Sequence, residues 1–388
     1  MKIRFKSLAR LSGAALSTVA LMSFGSADTA PATAASAGMP STLAFVMTSW
    51  TTAKHESVFM DECPEGPAPG AYEIWESEVS PEKRRSYPEV PTTLMPWVTA
   101  RGPNGENVCD YPTTAKDPPL KIVEGIYAYG INLDGNVDGA ATLKSCKHRN
   151  FTAVNGEPGI DNQMYRLLGC VLAWRSDGHI ENNANSHRRS SGLGMILFEI
   201  TDVDDVKNDD DVTVSFYRGL GSFNLDSNNN VLPFGTYDID MENGAPRYGD
   251  SVRGRIKDGV LVTLSGDVHL PHFGNYEYLR QLIRDMQLHV DVTPENGRTK
   301  GMVVGYYGVD QLYSYVRGLL TNFTIRHKYS CPALYVAAHE LADGHPDPAT
   351  GDCTTLSAAF KFDAVRAFIN HPKPGDTAGT KISDNLRR

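Results

Sequence analysis

The stretch Asp285-Met286-Gln287-Leu288-His289-Val290-Asp291-Val292 alternates polar and apolar side chains through eight residues. Successive residues of a strand point to opposite faces, so Met286, Leu288, Val290 and Val292 share one face and their polar neighbours the other. The turn residues Glu295-Asn296-Gly297 follow, and Met302-Val303-Val304 carries the chain back. One face to a core, one to water, and a tight return describe antiparallel sheet.

The same pattern extends upstream. After the turn at Asp258-Gly259, Val260, Val262 and Leu264 lie on one face of a strand. The β-branched runs 195–200 and 212–217 are joined by the acidic connection 202–211, a hairpin arrangement, and residues 122–131 read as a further strand. Many short strands separated by Gly, Asn and Asp predict a mainly β chain, with an antiparallel β-sandwich or jelly roll over 121–308. On its N-terminal side, 42–120 is proline-rich and irregular, with 43–50 strand-like, and is expected to be held by disulfides. On its C-terminal side, 309–388 is expected to be a helical segment packed on the body. There Leu312, Val316, Leu319 and Leu320 recur at helical spacing, and Ser330-Cys331-Pro332 offers a cap with proline in the first turn. That second helix is expected to stop at Gly344. A short helix is expected over 162–174, with Met164, Leu167, Leu168 and Val171 on one side, and one more strand or helix over 356–369.

The chain opens with Lys2, Arg4, Lys6 and Arg10 and no acidic residue, followed by an apolar run over 11–24 and by Gly25-Ser26-Ala27. This order of charge, short apolar segment and small residues predicts a secretory signal peptide over 1–27, with Ala35-Ser36-Ala37 a second cleavage candidate. Residues 28–41 read as a disordered leader. Cleavage takes the formal net charge from −9 to −13, because four cations leave and no acid does. An acidic exported chain repels nucleic acid and anionic membrane, so neither is an expected partner. No segment beyond the signal reaches about eighteen apolar residues, so no transmembrane anchor is expected.

All six cysteines lie past the cleavage region, as an oxidising compartment and a disulfide framework predict. Their spacing suggests local pairs, Cys63–Cys109, Cys146–Cys170 and Cys331–Cys353, among fifteen possible pairings. No C-x-x-C is present, which argues against zinc held by thiolates.

Among motifs with chemical content, Asp134-Gly135-Asn136-Val137-Asp138-Gly139 matches the first half of a calcium loop, with oxygen side chains at alternate positions and glycine for the sharp turn. Ser145 stands at the twelfth position, where a bidentate glutamate would close such a site. Another carboxylate has to do so, and Asp161 is the candidate, drawn in by the expected Cys146–Cys170 bridge. Calcium at Asp134, Asn136, Asp138 and Asp161 is therefore expected. His339-Glu340-Leu341-Ala342-Asp343-Gly344-His345 approaches H-E-x-x-H but carries Asp343 at the second histidine's position. No G-x-S-x-G, P-loop or dinucleotide fingerprint occurs.

Asn132-Leu133-Asp134-Gly135, Gly159-Ile160-Asp161-Asn162-Gln163, 253–261 and 342–348 together resemble a group of exported bacterial proteins of unassigned function. The likeness covers roughly 123–369 and implies bacterial export and a β-rich body. The resulting expectation is an exported, disulfide-bonded, calcium-stabilised binding or structural protein of the periplasm, cell surface or medium. A glycan or an envelope protein is its expected partner. A secreted hydrolase acting on an extracellular polymer is the alternative.

Overall fold

The computed structural model describes residues 41–86, 98–274, 277–322 and 329–372. The expected signal peptide, and the leader except Ser41, lie outside the described residues.

Eight strands make the body, numbered here in chain order: β1 (Ser41–Thr52), β2 (Ile196–Val203), β3 (Asn208–Leu220), β4 (Ser251–Lys257), β5 (Val260–Thr263), β6 (Glu277–Asp291), β7 (Arg298–Gly308) and β8 (Cys353–Asn370). Each pairs antiparallel with the next, and β8 pairs antiparallel with β1. The sheet therefore closes on itself. The body is an eight-stranded antiparallel barrel, not the sandwich or jelly roll that the alternation suggested. Alternation reports only that one face of each strand is buried, which a closed sheet and two stacked sheets satisfy equally. Closure is decided by β1 and β8, whose partners lie more than 300 residues apart, as in Phe45 opposite Arg366 and Thr52 opposite Phe360.

The inward faces fill the barrel with side chains. Phe45, Met47, Phe198, Val214, Phe216, Leu288, Val303 and Leu356 are all fully buried, and Phe45 stacks on Phe198 at 5.0 Å between ring centroids. Met286, Leu288, Val290 and Val292 are buried as their period requires. Val260 and Leu264, by contrast, face outward, while Leu261 and Thr263 turn in. Thr263 is tolerated there because its hydroxyl oxygen accepts the Leu288 N–H at 2.8 Å. Between Arg284 and Gln287 the register of β6 with β7 shifts. Asp285 takes a positive φ of 48° there, and facing it a Cβ on Gly305 would meet the Arg284 carbonyl at 2.8 Å. Glycine is required at that crossing.

Outside the wall lie two further apolar layers. Val46, Leu197, Val365 and Ala367 are covered by Phe223, Val231 and Tyr237. Tyr237 belongs to the strand Gly235–Ile239, which pairs in parallel with the end of β8. Ala53, Val304 and Ala359 are covered by Ile131 and Leu133. Residues 122–131 form no strand. They run as irregular chain fastened by backbone bonds from Val123 to Arg166, Glu124 to Glu62 and Ala128 to Thr152.

Helices close the barrel and brace its edges. Gln163–Leu168 starts at Asn162, whose side chain accepts the Tyr165 N–H, and sends Met164, Leu167 and Leu168 into the main core. In His179–Ser191 the Asn185 amide both accepts from the Trp50 N–H (2.9 Å) and donates to the Trp50 carbonyl (3.1 Å), giving β1 a polar partner. Val309–Asn322 and Cys331–Glu340 are the expected C-terminal helices, the second capped by Ser330. It ends at Glu340, not Gly344, which lies in the short strand Gly344–Pro346 paired with β8. No helix among the described residues is long and apolar enough to cross a membrane.

All six cysteines are paired, as Cys63–Cys170, Cys109–Cys331 and Cys146–Cys353, across separations of 107, 222 and 207 residues. None of the three local pairs forms. Spacing along the chain favours neighbours, whereas barrel closure brings the ends of the chain to its middle. Each bridge taken alone restricts the unfolded chain by about 5 kcal/mol in the chain-entropy model.

Phe198→Ala removes the ring at the centre of the filled barrel and is expected to cost about 3–5 kcal/mol. Denaturant unfolding read from the midpoint at constant slope checks it.

Candidate functional site

Three of the four segments that carry the resemblance do not stay apart, while the fourth, 253–261, forms the β4–β5 hairpin of the barrel wall. On the outer side of β7 and β8, residues 131–148, 159–163 and 342–346 meet.

Asp161 sits between the short strand Pro158–Ile160 and the helix Gln163–Leu168 and is fully buried. Its N–H donates to the Ile131 carbonyl at 2.9 Å. Its Oδ2 accepts the N–H of Leu133 (2.7 Å) and of Asp134 (3.3 Å), which fixes the start of the 132–139 loop. Its Oδ1 lies 2.9 Å from His148 Nε2. The other imidazole nitrogen, Nδ1, lies 2.8 Å from the Cys146 carbonyl oxygen. A carbonyl can only accept, so Nδ1 carries a proton and Nε2 is the nitrogen that faces the carboxylates.

Asp343 completes the group. It follows the helix Cys331–Glu340, is fully buried, and its Oδ1 accepts the Ser357 N–H at 2.6 Å. Its Oδ2 is buried with no hydrogen-bond partner. The backbone at Asp343 is fastened twice, by its N–H to the Thr355 carbonyl and by the Cys146 N–H to its own carbonyl. The next residue must be glycine: a Cβ on Gly344 would stand 2.3 Å from the Tyr306 ring and 2.6 Å from Thr355 Oγ1. One ligand atom each from His148, Asp161 and Asp343 lies within 4.8 Å of the others.

The electrostatics follow from burial. For His148, burial alone would lower the pKa, but the Asp161 hydrogen bond, the Cys146 carbonyl and the charges of Asp343 and Asp161 outweigh it and raise it to about 9. Burial pushes Asp343 up to about 7, opposed by the Ser357 N–H and by His148 and reinforced by the Asp161 charge. A histidine held against the Asp161 carboxylate, with Asp343 close by, is thus built into the wall.

The expected calcium residues lie beside this group. Asp134 Oδ1 accepts the Asn136 N–H (2.8 Å), Asn136 Oδ1 the Asp138 N–H (3.0 Å), and Asp138 Oδ1 the Ala140 N–H (2.9 Å). Each oxygen side chain thereby folds the backbone two residues ahead of it. Asp134 Oδ2 accepts the hydroxyl of Ser145, at the twelfth position, at 2.6 Å. Asp161 reaches the loop through its own hydrogen bonds to Leu133 and Asp134, since Cys146 pairs with Cys353 and no Cys146–Cys170 bridge exists to draw it in.

The near-match at 339–345 separates in space. His339 is exposed and its ring lies tilted against Tyr335, 4.2 Å between centroids, while Asp343 belongs to the buried group. His345 turns instead to Asp285 (3.3 Å) and Thr355 (3.0 Å). His148 carried no sequence signal, because its partners come from positions 13 and 195 residues further along the chain.

Comparison with models of known protein families, with curated proteins and with solved structures finds no match.

Asp161→Ala leaves the His148 imidazolium and two backbone N–H groups without their acceptor, and is expected to cost about 3–5 kcal/mol. A loss in urea unfolding below about 1 kcal/mol, as for an exposed pair, would show that the group contributes nothing beyond a surface ion pair.

Proposed function

We propose that this chain is an exported binding or structural protein of the bacterial periplasm, cell surface or medium, a rigid barrel whose outer segments are stapled in place. The observation that carries the reading is the disulfide set. Three bridges with no free thiol among the described residues are what an oxidising compartment produces. The resemblance of the Asp/Gly segments to exported bacterial proteins and the charge pattern of residues 1–27 support the same reading. The barrel interior is filled by side chains, so a ligand would be met on the outside. Tyr127 and Tyr129, 44% and 36% exposed beside His55, are suited to a glycan or to another envelope protein.

Calcium belongs to the same proposal. A loop already curled at Gly135 and Gly139, with oxygen side chains at 134, 136 and 138, is half of what that ion requires.

Expressed from its full gene, the protein is expected in the periplasm or medium with no thiol titratable after denaturation, whereas six free thiols in a cytoplasmic product would overturn export. Calcium added after chelation is expected to raise the melting temperature, and Asp138→Ala to abolish that rise. An unchanged melting curve removes calcium and leaves the barrel reading standing.

A further inference from the structure

We propose that His148, Asp161 and Asp343 form a second metal site, for a small divalent transition cation with zinc foremost, which takes Asp161 for itself and leaves Asp134, Asn136 and Asp138 to the calcium loop beside it. In each of the three side chains one polar atom is held by a backbone group of the protein, and one ligand atom from each lies within 4.8 Å of the others. His148 gives Nδ1 to the Cys146 carbonyl and presents Nε2. Asp161 gives Oδ2 to the Leu133 and Asp134 N–H groups and presents Oδ1. Asp343 gives Oδ1 to the Ser357 N–H, and its Oδ2 is buried without a partner. This is how metal ligands are oriented by their surroundings: a ligating histidine gives its remote N–H to a carbonyl, and ligating carboxylates are themselves hydrogen-bonded.

The unpartnered oxygen of Asp343 is the independent sign. A carboxylate oxygen removed from water without a donor is costly, and a cation at the centre would satisfy it. The donor set selects the ion. One imidazole nitrogen and two carboxylate oxygens suit zinc or its first-row neighbours, whereas calcium takes six to eight oxygens and does not favour nitrogen. The ion displaces the proton on Nε2, which is released to solvent, and binds Nε2, Oδ1 of Asp161 and a carboxylate oxygen of Asp343. Two ligands on one ion at about 2.1 Å stand no more than about 4.2 Å apart, so the group draws in from its present spacing on loading. Rotation of the His148 and Asp343 side chains supplies that movement.

Little of the site meets solvent, with the His148 side chain only 5% exposed and both aspartates fully buried. Its role is therefore to fasten rather than to catalyse. The ion would pin 145–148, 159–163 and 342–346 to one another on the outer wall of the barrel, where the Cys146–Cys353 bridge already ties the first of them to the start of β8.

The test takes the full-length protein as exported, dialysed against a chelator and titrated with zinc chloride, with bound metal read by mass spectrometry and melting followed in parallel. Cobalt substitution supplies a visible spectrum that reports nitrogen and oxygen ligation directly. The expected result is about one equivalent of zinc per chain, a raised melting temperature, and affinity lowered about tenfold or more in Asp343→Asn, as loss of a ligand demands. Asp343→Asn keeps an oxygen for the Ser357 N–H, so its metal-free fold is expected to survive, shown by an unchanged circular dichroism spectrum. His148→Gln is the second variant, expected to lose the cobalt spectrum. Failure of the wild-type protein to take up zinc or cobalt overturns the proposal, as does Asp343→Asn binding as tightly as wild type. Neither result bears on export or on calcium at the loop, which Asp138→Ala reports separately.

Discussion

The structure depends on one pairing, the antiparallel contact of β1 with β8. Without it the eight strands would be an open curled sheet with β1 and β8 as exposed edges, and the backbone groups along those edges would have no partners. With it, the aromatic rings of Phe45, Phe198 and Phe362 meet inside one enclosed volume. Its cost is loop closure over more than 300 residues, which has to be met before any of the contacts it permits can form. The long-range disulfides act in the same direction. Cys109–Cys331 and Cys146–Cys353 each join the N-terminal half to the region that supplies β8.

Closure also explains the outer layers. A barrel wall has a second face, and on β1, β7 and β8 that face is apolar at Val46, Val304, Ala359 and Val365. These residues need cover, and irregular chain provides it, with Ile131 and Leu133 lying over Val304 and Ala359. The loop at 132–139 is thereby set down against the wall, and its backbone N–H groups need acceptors there. The Asp161 carboxylate supplies two of those bonds and so becomes the centre of the buried charged group. The polar cluster follows from packing an irregular segment against a hydrophobic surface, where each buried polar group must find a partner.

Much of the local structure was legible in the sequence. The period of two at 285–292, the β2–β3 hairpin, the cap at Ser330 and the helix beginning beside Asn162 all rest on contacts within a few residues. The misreadings have a common origin. In 122–131, Ile131 is apolar because it covers the barrel wall, and Val123 and Ala128 because they pack in a separate cluster with Phe151 and Tyr165, without forming a strand. Val260 and Leu264 are apolar on the solvent side, which no periodicity can distinguish from the inner one. The disulfide pairing by neighbours failed because chain spacing carries no information about closure. Of the site, Asp161 was visible through its motif, and Asp343 only as the flaw in a near-match to another pattern.

The sequence by itself determined that this is a β-rich chain of alternating strands, with an even set of cysteines and a cluster of Asp/Gly turns. Those properties reside in residue types and short-range order, where steric preference and side-chain period act. Tertiary structure alone decided that the sheet closes, which thiols meet, and that His148, Asp161 and Asp343 share one buried centre. Those are properties of distance in space between residues remote in the chain, and they are set by the single register in which β8 returns to β1.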